Sequence, residues 1–262
     1  MKSPHSRLSV DSNSPLALGW HMAVADIRLQ YRRSLLGPFW VAITLLIQVS
    51  VIGLLFGQFF ALDLAEYLIH LSVGMATWSF LVNVLNSSAT ALIDNGSLIR
   101  QVALPVSTFT VRIVARNSLQ FAHNLVAVVP FVALSGLRPS LGYLVALLGF
   151  VLTVFNLGWL GVILSVVCAR FRDLPAVING FLVTAFYVTP VLWSIEHVSS
   201  PLIRTVLPFN PFFHVLVLVR APFTGTAGAL ESVLVLCVVG LLGWAIATLA
   251  LRAKGPLVPF WV

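Results

Sequence analysis

Long apolar stretches, each long enough to cross a lipid bilayer, constrain the fold of this chain more than any other feature. A transmembrane helix needs about 20 predominantly apolar residues to cross a hydrocarbon core about 30 Å thick. Six stretches meet this requirement: Pro38–Phe60, Tyr67–Ala91, Ile113–Leu134, Leu141–Cys168, Val177–Trp193 and Leu230–Leu251. We therefore predict an all-α integral membrane protein with six transmembrane helices, forming one domain over residues 1–262.

The composition agrees with lipid as the solvent of this chain. Hydrophobic residues make up 59% of the sequence and charged residues 9%, whereas an average soluble domain has about 25% charged residues. The net charge of +7 does not form a basic surface interleaved with aromatic residues, so we do not expect nucleic-acid binding. Cys168 and Cys237 lie in different apolar stretches, and we expect both to pack as apolar side chains.

Lys and Arg residues are distributed unevenly among the predicted loops. Cytoplasmic loops carry an excess of these residues, so we place the N-terminus, and with six spans also the C-terminus, in the cytoplasm. The predicted cytoplasmic set comprises Lys2, Arg7, Arg28, Arg32, Arg33, Arg100, Arg112, Arg116, Arg170, Arg172, Arg252 and Lys254. We place Arg138, Arg204 and Arg220 on the other side of the membrane. The six-span region then covers residues 38–251, and residues 252–262 form a cytoplasmic tail.

A separate amphipathic helix is predicted over residues 14–36. Ser14 is a suitable N-cap, and Pro15 is favoured in the first turn of a helix. Gly37-Pro38 is expected to end the helix. Apolar residues recur at helical spacing: Leu16, Trp20, Val24, Ile27, Tyr31 and Leu35. Arg28 and Arg32 occupy another face of the same helix. Such a helix lies in the membrane interface, either as a surface anchor or as a collar that contacts a cytoplasmic partner.

A short helix is predicted over residues 97–104 in the first cytoplasmic loop. A turn signal precedes it, Ser97 is suited to cap it, and Pro105 to end it. Ser107 and Thr108 are suited to cap the third span. The short segment is either a docking helix for a partner or an ordinary connecting loop.

Two further short helices are predicted over residues 200–220, between the fifth and sixth spans. The first begins at Pro201 and ends before Pro208; the second begins at Asn210-Pro211 and runs to about Arg220. Each is about 15 Å long, too short to cross the bilayer, yet too apolar for an open loop. We therefore predict a pair of re-entrant helices that dips into the membrane from the outer face, at the mouth of a pore.

The sequence has no recognisable catalytic or nucleotide-binding motif. No Gly-x-x-x-x-Gly-Lys-Ser/Thr loop is present, so we expect no ATP binding by that route, no other cofactor and no metal site. All eight acidic residues fall outside the spans or near their ends. Because ion-coupled carriers depend on intramembrane carboxylates, this distribution argues against such a carrier and against a membrane enzyme with an acidic base.

Aromatic residues are concentrated in the first and fifth predicted spans. The candidates are Phe39, Trp40 and Phe56 in the first, and Phe181, Phe186, Tyr187 and Trp193 in the fifth. One interpretation is core packing together with an interfacial belt. The other is a pore lining, because aromatic faces offer flat apolar surface to the C–H faces of sugars.

Five motifs, in this order along the chain, resemble those of type-2 ABC exporter permeases for O-antigen, capsule and teichoic-acid polymers. They are Asp26–Trp40 (DIRLQYRRSLLGPFW), Asp94–Arg100 followed by Leu104-Pro105, Arg170–Asp173 (RFRD), Tyr187–Val191 (YVTPV) and Asn210-Pro211. Gln101-Val102-Ala103 departs from the more basic or aromatic stretch frequent in that family. The resemblance covers most of the chain.

The resemblance implies a homodimer in the bacterial inner membrane, joined to two copies of a separate ATPase that binds ATP and Mg²⁺, and exporting a lipid-linked polysaccharide. It assigns contact with the ATPase to Arg28, Tyr31, Arg32, Asn95, Leu98, Ile99, Arg100, Arg172 and Asp173. It assigns a periplasmic gate to the two short outer helices, with Pro201, Leu207, Asn210, Pro211, Phe212 and Phe213. The first and fifth spans would line the channel.

Other functions stay open on the sequence alone. A type-2 ABC permease for a small lipid or drug would share the same motifs. A membrane enzyme such as an acyltransferase, or a structural membrane scaffold, would work without an ATPase. On sequence alone, Arg172 and Asp173 mark only the topology of the turn between the fourth and fifth spans.

Overall fold

The computed structural model describes residues 14–37, 39–59, 63–102, 104–135, 142–225 and 227–262, and within these ranges the chain is helical without strands. The α-helices are α1 (Pro15–Tyr31), α2 (Phe39–Phe59), α3 (Leu64–Asp94), α4 (Gly96–Gln101), α5 (Val106–Asn124), α6 (Val129–Ser135), α7 (Gly142–Arg170), α8 (Leu174–Val188), α9 (Pro201–Val206), α10 (Pro211–Thr224) and α11 (Ala229–Lys254). Seven residues named in the predictions lie outside the described ranges: Lys2, Arg7, Pro38, Phe60, Ala103, Arg138 and Leu141.

The predicted class, an all-α integral membrane protein, is confirmed. Five described segments are long and apolar enough to cross a membrane: α2, α3, the α5–α6 unit over Val106–Leu134, α7, and α11 with the turns that follow it. The pair formed by α9 and α10 adds a sixth if it is counted as one bent span.

The predicted fifth span, Val177–Trp193, has the wrong C-terminal boundary. α8 ends at Val188, so it has 15 residues and is about 22 Å long at 1.5 Å per residue. Thr189 is extended (φ −82°, ψ 138°), and Pro190 has no amide hydrogen with which to continue the helix. Residues 189–193 therefore form a turn whose carbonyl groups need other partners.

The central helix of the bundle is α3, which is buried along most of its length. α2 lies against it through Gly53 and Gly57, four residues apart on one side of α2. A Cβ on Gly53 would come within 2.3 Å of Leu68, and one on Gly57 within 3.1 Å of Leu64. Small residues at this spacing let two membrane helices approach closely, so the opposite side of α2 is left outside the bundle.

The predicted third span, Ile113–Leu134, is one unit with a break. α5 begins at Val106, preceded by Pro105, so the predicted caps Ser107 and Thr108 lie inside the helix. A 3₁₀ turn over Leu125–Ala127 separates α5 from α6. Pro130 follows this turn and cannot donate the hydrogen bond that a continuous helix would require.

The bundle has two ends that differ in charge. The rings of Phe80 and Phe150 lie 5.8 Å apart, and Gly161 packs on Ser88, so α7 runs parallel to α3. The end that holds α4, the α7–α8 turn and the last turn of α11 is here called the arginine-rich end; it carries Arg100, Arg170, Arg172, Arg252 and Lys254. Arg204 and Arg220 lie toward the opposite end, with the first turns of α3 and α7. This separation agrees with the predicted partition of Lys and Arg.

Candidate functional site

The N-terminal helix α1 packs along α5 through small residues. Ser14 caps it as predicted, accepting a hydrogen bond from the amide of Ala17 at 3.2 Å. Gly19 and Ala23 are buried against α5, where a Cβ on Gly19 would meet Val111 at 2.7 Å. The predicted apolar stripe therefore faces outward at its start, and Leu16 keeps 68% of its surface exposed.

The helix is shorter than the predicted range 14–36, because it ends at Tyr31. Residues 32–37 turn instead, with Gly37 at φ +55°, a conformation that favours glycine. Arg28 and Arg32, predicted to contact an ATPase, are exposed. The Tyr31 hydroxyl is buried and makes no hydrogen bond within the described residues.

Arg112 of α5 joins α1 to the turn before α4. Its Nε and Nη2 donate to the two carboxylate oxygens of Asp26 at 2.6 and 2.8 Å. Its Nη1 donates to Oδ1 of Asn95 at 3.2 Å. Bidentate guanidinium–carboxylate pairs fix orientation as well as distance. Arg112 and Asp26 were not among the predicted coupling residues, although an acidic side chain in an apolar interfacial helix is a signal for such a pair.

The short helix α4 exists, but its predicted boundaries are wrong. It runs from Gly96 to Gln101 rather than over 97–104, and Asn95 rather than Ser97 is its N-cap. The Asn95 side chain does not bond α4; its amide donates to the Ala91 carbonyl at 2.7 Å. The backbone of α4 is therefore held by its surroundings rather than by a cap.

The predicted coupling residues on α4 face different ways. Ile99 is 7% exposed, within an apolar cluster separate from the main core, and Leu98 packs against the same cluster. Arg100 is exposed and donates from Nη1 to the main-chain oxygen of Val262 at 2.6 Å. In the turn between α7 and α8, Arg172 and Asp173 are both exposed.

The aromatic residues predicted to line a channel divide into two groups. The exposed ones are Phe39, Trp40 and Phe56 on α2, and Phe181 and Tyr187 on α8, with exposures of 37–66%. Phe186 is instead half-buried, and its ring lies 5.7 Å from that of Trp78 of α3. Trp193 follows α8 in the turn and donates from Nε1 to the Tyr187 carbonyl at 3.1 Å. α2 and α8 thus both pack on α3 and leave aromatic side chains on their outer faces.

The two predicted outer helices form a pair bent by 92°. The ring of Phe212, in the first turn of α10, lies 5.5 Å from the ring of Trp78. Trp78 is near the middle of α3, about 21 Å along the helix from its first residue, Leu64. The ring of Phe223, at the other end of α10, lies 5.6 Å from that of Tyr143 at the start of α7. α10 therefore begins at the middle depth of the bundle and runs to the end opposite the arginine-rich end.

The break between α9 and α10 is fixed by side chains from several elements. Asn210 caps α10, accepting from the amide of Phe212 at 3.0 Å, and donates to the Thr189 hydroxyl at 2.9 Å. His214 is 1% exposed; its Nε2 lies 2.7 Å from the Pro208 carbonyl and its Nδ1 lies 3.0 Å from the Ser232 hydroxyl. A proton on Nε2 satisfies both contacts, because Nδ1 then accepts from the hydroxyl.

The other predicted gate residues take different positions in the pair. Pro201 and Pro211 occupy the first turns of α9 and α10, as predicted. Leu207 is buried at 3% exposure, and the ring of Phe213 packs at 5.3 Å on that of His214. In contrast, the side chains of α9 itself are exposed throughout.

Arg220 of α10 binds the turn that follows α8. Its guanidinium is 5% exposed and donates to the carbonyls of Pro190 at 2.5 Å and of Val191 at 2.8 Å. Gly74 of α3 makes room for this group, since a Cβ there would lie 1.8 Å from Nη2. The planar fork of arginine suits two adjacent acceptors, which the single ammonium of lysine does not match.

The next two carbonyls of the same turn are bound from α3. Tyr67 donates its hydroxyl to the Leu192 carbonyl at 3.0 Å, and His70 Nε2 lies 3.2 Å from the Trp193 carbonyl. Four consecutive carbonyls, of residues 190–193, are thus satisfied by side chains of α3 and α10. We call this arrangement the carbonyl clamp. It joins the turn after α8 to α3 and α10.

Comparison with known proteins places this architecture in a family. The sequence profile of the ABC-2 type transporter matches residues 18–224, from α1 to the end of α10. The chain belongs to the ABC-2 type transporter family. It is a membrane transport permease rather than an enzyme, and membership implies association with an ABC ATPase.

Curated relatives of this permease cover most of its length. It is 22% identical over 217 residues to an O-antigen export system permease protein RfbA of Klebsiella pneumoniae, covering 82% of this chain and 83% of the relative. A second protein of that name and organism is 23% identical over 188 residues, covering 71% and 72%. The protein of that name from Myxococcus xanthus is 24% identical over 202 residues, covering 76% of each chain.

Arg28, Tyr31 and Arg32 lie farther along the bundle, since the neighbouring Gln30 accepts a hydrogen bond from Gln120 of α5 at 3.2 Å. The structure brings the other predicted coupling residues together at the arginine-rich end: Asn95, Leu98, Ile99, Arg100, Arg172 and Asp173. They are held there by contacts that the sequence did not reveal, chiefly Arg112 and the segment after α11. A recess of about 300 Å³ also opens at this end, between the α4–α5 turn and the end of α11; it is lined by Leu104, Pro105, Val106, Ser107, Leu251, Gly255 and Pro256. Of the predicted gate residues, Asn210 contacts Thr189 at the start of the turn held by the carbonyl clamp.

Proposed function

We propose that this permease is the membrane-spanning subunit of an ATP-driven exporter of a lipid-linked, O-antigen-like polysaccharide. The subunit forms a homodimer in the bacterial inner membrane, with both termini in the cytoplasm and two copies of an ABC ATPase that bind ATP and Mg²⁺. The observation that carries the choice of substrate is that relatives aligned over 71–82% of the chain are named as O-antigen export permeases.

The exposed faces of α2 and α8 support a channel between two subunits. A polymer longer than the membrane is thick needs a continuous conduit rather than a closed cavity. Phe181 and Tyr187 keep 62% and 66% of their surface exposed on α8, and Trp40 keeps 59% on α2. Aromatic faces hold sugar rings weakly and without a strict demand on sugar sequence, as a polymer conduit requires.

The links at the arginine-rich end support a route for coupling. Arg112 contacts both Asp26 of α1 and Asn95 before α4, so a displacement of either helix is passed to α5. Arg28 and Arg32 are exposed farther along α5, where the neighbouring Gln30 accepts a hydrogen bond from Gln120 at 3.2 Å. We propose that the ATPase acts on α1 and α4 as a connected unit.

The bent pair of α9 and α10 supports a gate at the outer face. α10 begins beside Trp78 at the middle depth of the bundle and runs toward Tyr143, as the returning half of a re-entrant pair would. The carbonyl clamp ties this pair to α8, one of the two proposed channel walls. We propose that the pair and the end of α8 move together when a glycan passes.

Deletion of the gene, followed by analysis of surface and cytoplasmic glycans, tests the proposal. We expect loss of the surface polymer and accumulation of its lipid-linked form inside the cell, both reversed by the wild-type chain. An ABC ATPase should co-purify with the tagged permease. An unchanged surface polysaccharide would refute the substrate assignment, and an efflux defect for a small lipid or drug would identify the competing permease function.

A further inference from the structure

The segment that follows α11 folds back onto the arginine-rich end. Gly255–Phe260 forms 3₁₀ turns rather than a loose tail. Val258 is 0% exposed and packs with Leu92, Ile99 and Phe109 in the second apolar cluster. Together with Val166 and Ala169 of α7, these residues form one cluster, and the segment itself packs against α4, α7 and α11.

Arginines from two separate loops converge on the last residues of this segment. Arg100 of α4 donates to the main-chain oxygen of Val262 at 2.6 Å. Arg172 of the α7–α8 turn donates to the Trp261 carbonyl at 3.2 Å. The Arg170 guanidinium lies 5.8 Å from the centre of the Trp261 ring, within the range of a cation–π contact. The segment therefore bridges the two loops.

The segment also lies directly against the backbone of α4. A Cβ added to Gly96 would lie 3.2 Å from the carbonyl carbon of Val262 and 3.3 Å from its Cβ. No side chain larger than hydrogen fits there without a shift of one partner. The first turn of α4 is thus in contact with the segment at its N-terminal residue and, through Ile99, on its buried side.

The helix α4 is too short to set its own position. It has six residues, and its N-cap side chain makes no capping bond. Isolated helices of this length are unstable in water, so packing determines where they lie. Much of the packing around α4 comes from Val258, Trp261 and Val262, together with α3 and α5.

We propose that residues 255–262 are a brace for coupling: they hold α4 and the α7–α8 turn as one rigid surface on which the ATPase acts. The inference rests on the proposed function, because it assigns a positioning role within the same coupling site. The brace stays closed throughout transport, and its buried Val258 acts through α4 rather than by touching the ATPase.

Substitution at two neighbouring positions tests the brace in the full chain with its ATPase. Val258→Asp places a charge in the cluster, and Phe260→Asp places the same charge at a side chain that is 83% exposed. We expect hydrogen exchange of residues 96–101 to rise about tenfold or more in Val258→Asp, with coupled export falling comparably, and no change in Phe260→Asp. Equal exchange in both variants and the wild type would overturn the brace. Equal loss of export in both would assign the segment to direct ATPase contact instead.

A disulfide tests whether the brace stays closed. In a chain carrying Cys168→Ala and Cys237→Ala, the pair Gly96→Cys and Val262→Cys places two Cβ atoms within a few tenths of an ångström of the range that a disulfide needs. We expect oxidation to link the pair while ATPase coupling and export persist, with each single cysteine variant as control. Failure to link, or export that stops on oxidation and returns on reduction, would overturn the brace.

The two proposals fail separately. Hydrogen exchange and disulfide formation need no substrate, so they judge the brace whatever the permease exports. If deletion of the gene causes no glycan defect, while hydrogen exchange of α4 still rises in Val258→Asp, the substrate assignment is wrong and the brace stands. If glycan export is established and Val258→Asp leaves α4 unchanged, only the brace fails.

Discussion

The carbonyl clamp predicts a specific local instability when Arg220 is replaced. Arg220→Met supplies an unbranched apolar side chain of similar length and removes the hydrogen bonds to the carbonyls of Pro190 and Val191. The comparison variant is Arg204→Met, since Arg204 is exposed and donates to the single carbonyl of Val198 at 2.9 Å. Arg220→Lys keeps the charge but loses the fork that reaches two adjacent carbonyls.

The size of the effect follows from the two contacts. A hydrogen bond to a charged group contributes about 1.5–3 kcal/mol, so two contribute about 3 kcal/mol or more to holding the turn closed. Replacing Arg220 also removes the cost of burying a guanidinium, which is several kcal/mol. Arg220 stays on α10 when the turn detaches, so this cost is removed from the closed and the locally opened states alike. Its removal by itself therefore leaves the opening equilibrium unchanged. The loss of the two hydrogen bonds shifts the opening equilibrium of residues 189–193 about a hundredfold, at 1.4 kcal/mol per factor of ten.

Hydrogen exchange of the purified permease measures this shift directly. We expect exchange of residues 191–193 to accelerate about a hundredfold in Arg220→Met and about tenfold in Arg220→Lys, which keeps one of the two contacts, with the wild-type rate in Arg204→Met. Export should fall while ATP hydrolysis continues, because α8 and the outer pair no longer move together. Wild-type exchange in Arg220→Met would refute the clamp, and full activity of Arg220→Lys would show that charge rather than the fork matters.

Three further outcomes are expected. Asp26→Asn weakens the bidentate contact with Arg112 by about 1 kcal/mol, so hydrogen exchange in α1 rises about fivefold and ATPase coupling falls. Phe181→Ala combined with Tyr187→Ala removes two exposed rings from the proposed channel wall, lowering glycan export about tenfold while ATP hydrolysis persists. Gly53→Ala crowds the α2–α3 contact and lowers the stability of the detergent-solubilised permease by about 1–3 kcal/mol, read from its denaturation midpoint.

Each of these three predictions has a matched control. Asp94→Asn changes an exposed carboxylate next to the α4 junction and should leave exchange in α1 unchanged. Leu241→Ala removes an equally exposed apolar side chain (66%) from α11 and should not affect export. Gly255→Ala adds a methyl group where nothing lies within 4 Å, so its denaturation midpoint should match the wild type. An effect of the control as large as that of its partner would contradict the assigned contact.

The membrane fold could be predicted from the sequence because lipid imposes a simple demand on it. Each spanning segment must be long, apolar and helical, so that its backbone groups are satisfied within the segment. Hydropathy therefore located α3, α7 and α11 closely. It placed the fifth span too far along the chain, because Leu192 and Trp193 are apolar although Pro190 has already ended the helix.

The contacts that organise the site could not be predicted, because they join residues far apart in sequence. Arg220 binds beside Gly74, and Arg100 binds the main chain of Val262. Nothing local marks Val258 as buried, since its segment has the prolines and exposed apolar residues of an ordinary tail. The motifs did identify which segments contribute to the site, while the direction of each side chain, such as that of Ile99, depends on tertiary packing.

The double contact of Arg112 has a consequence for exchanging parts between related exporters. In a chimera that receives residues 95–101 from another permease, Arg112 faces a foreign residue in place of Asn95, while Asp26 still binds the other side of the guanidinium. Grafts that carry only residues 95–101 are therefore expected to mismatch, whereas grafts that also carry α1 and the matching stretch of α5 preserve the junction. Under the proposed coupling route, we expect the choice of ATPase to follow this block of three helices rather than a single loop.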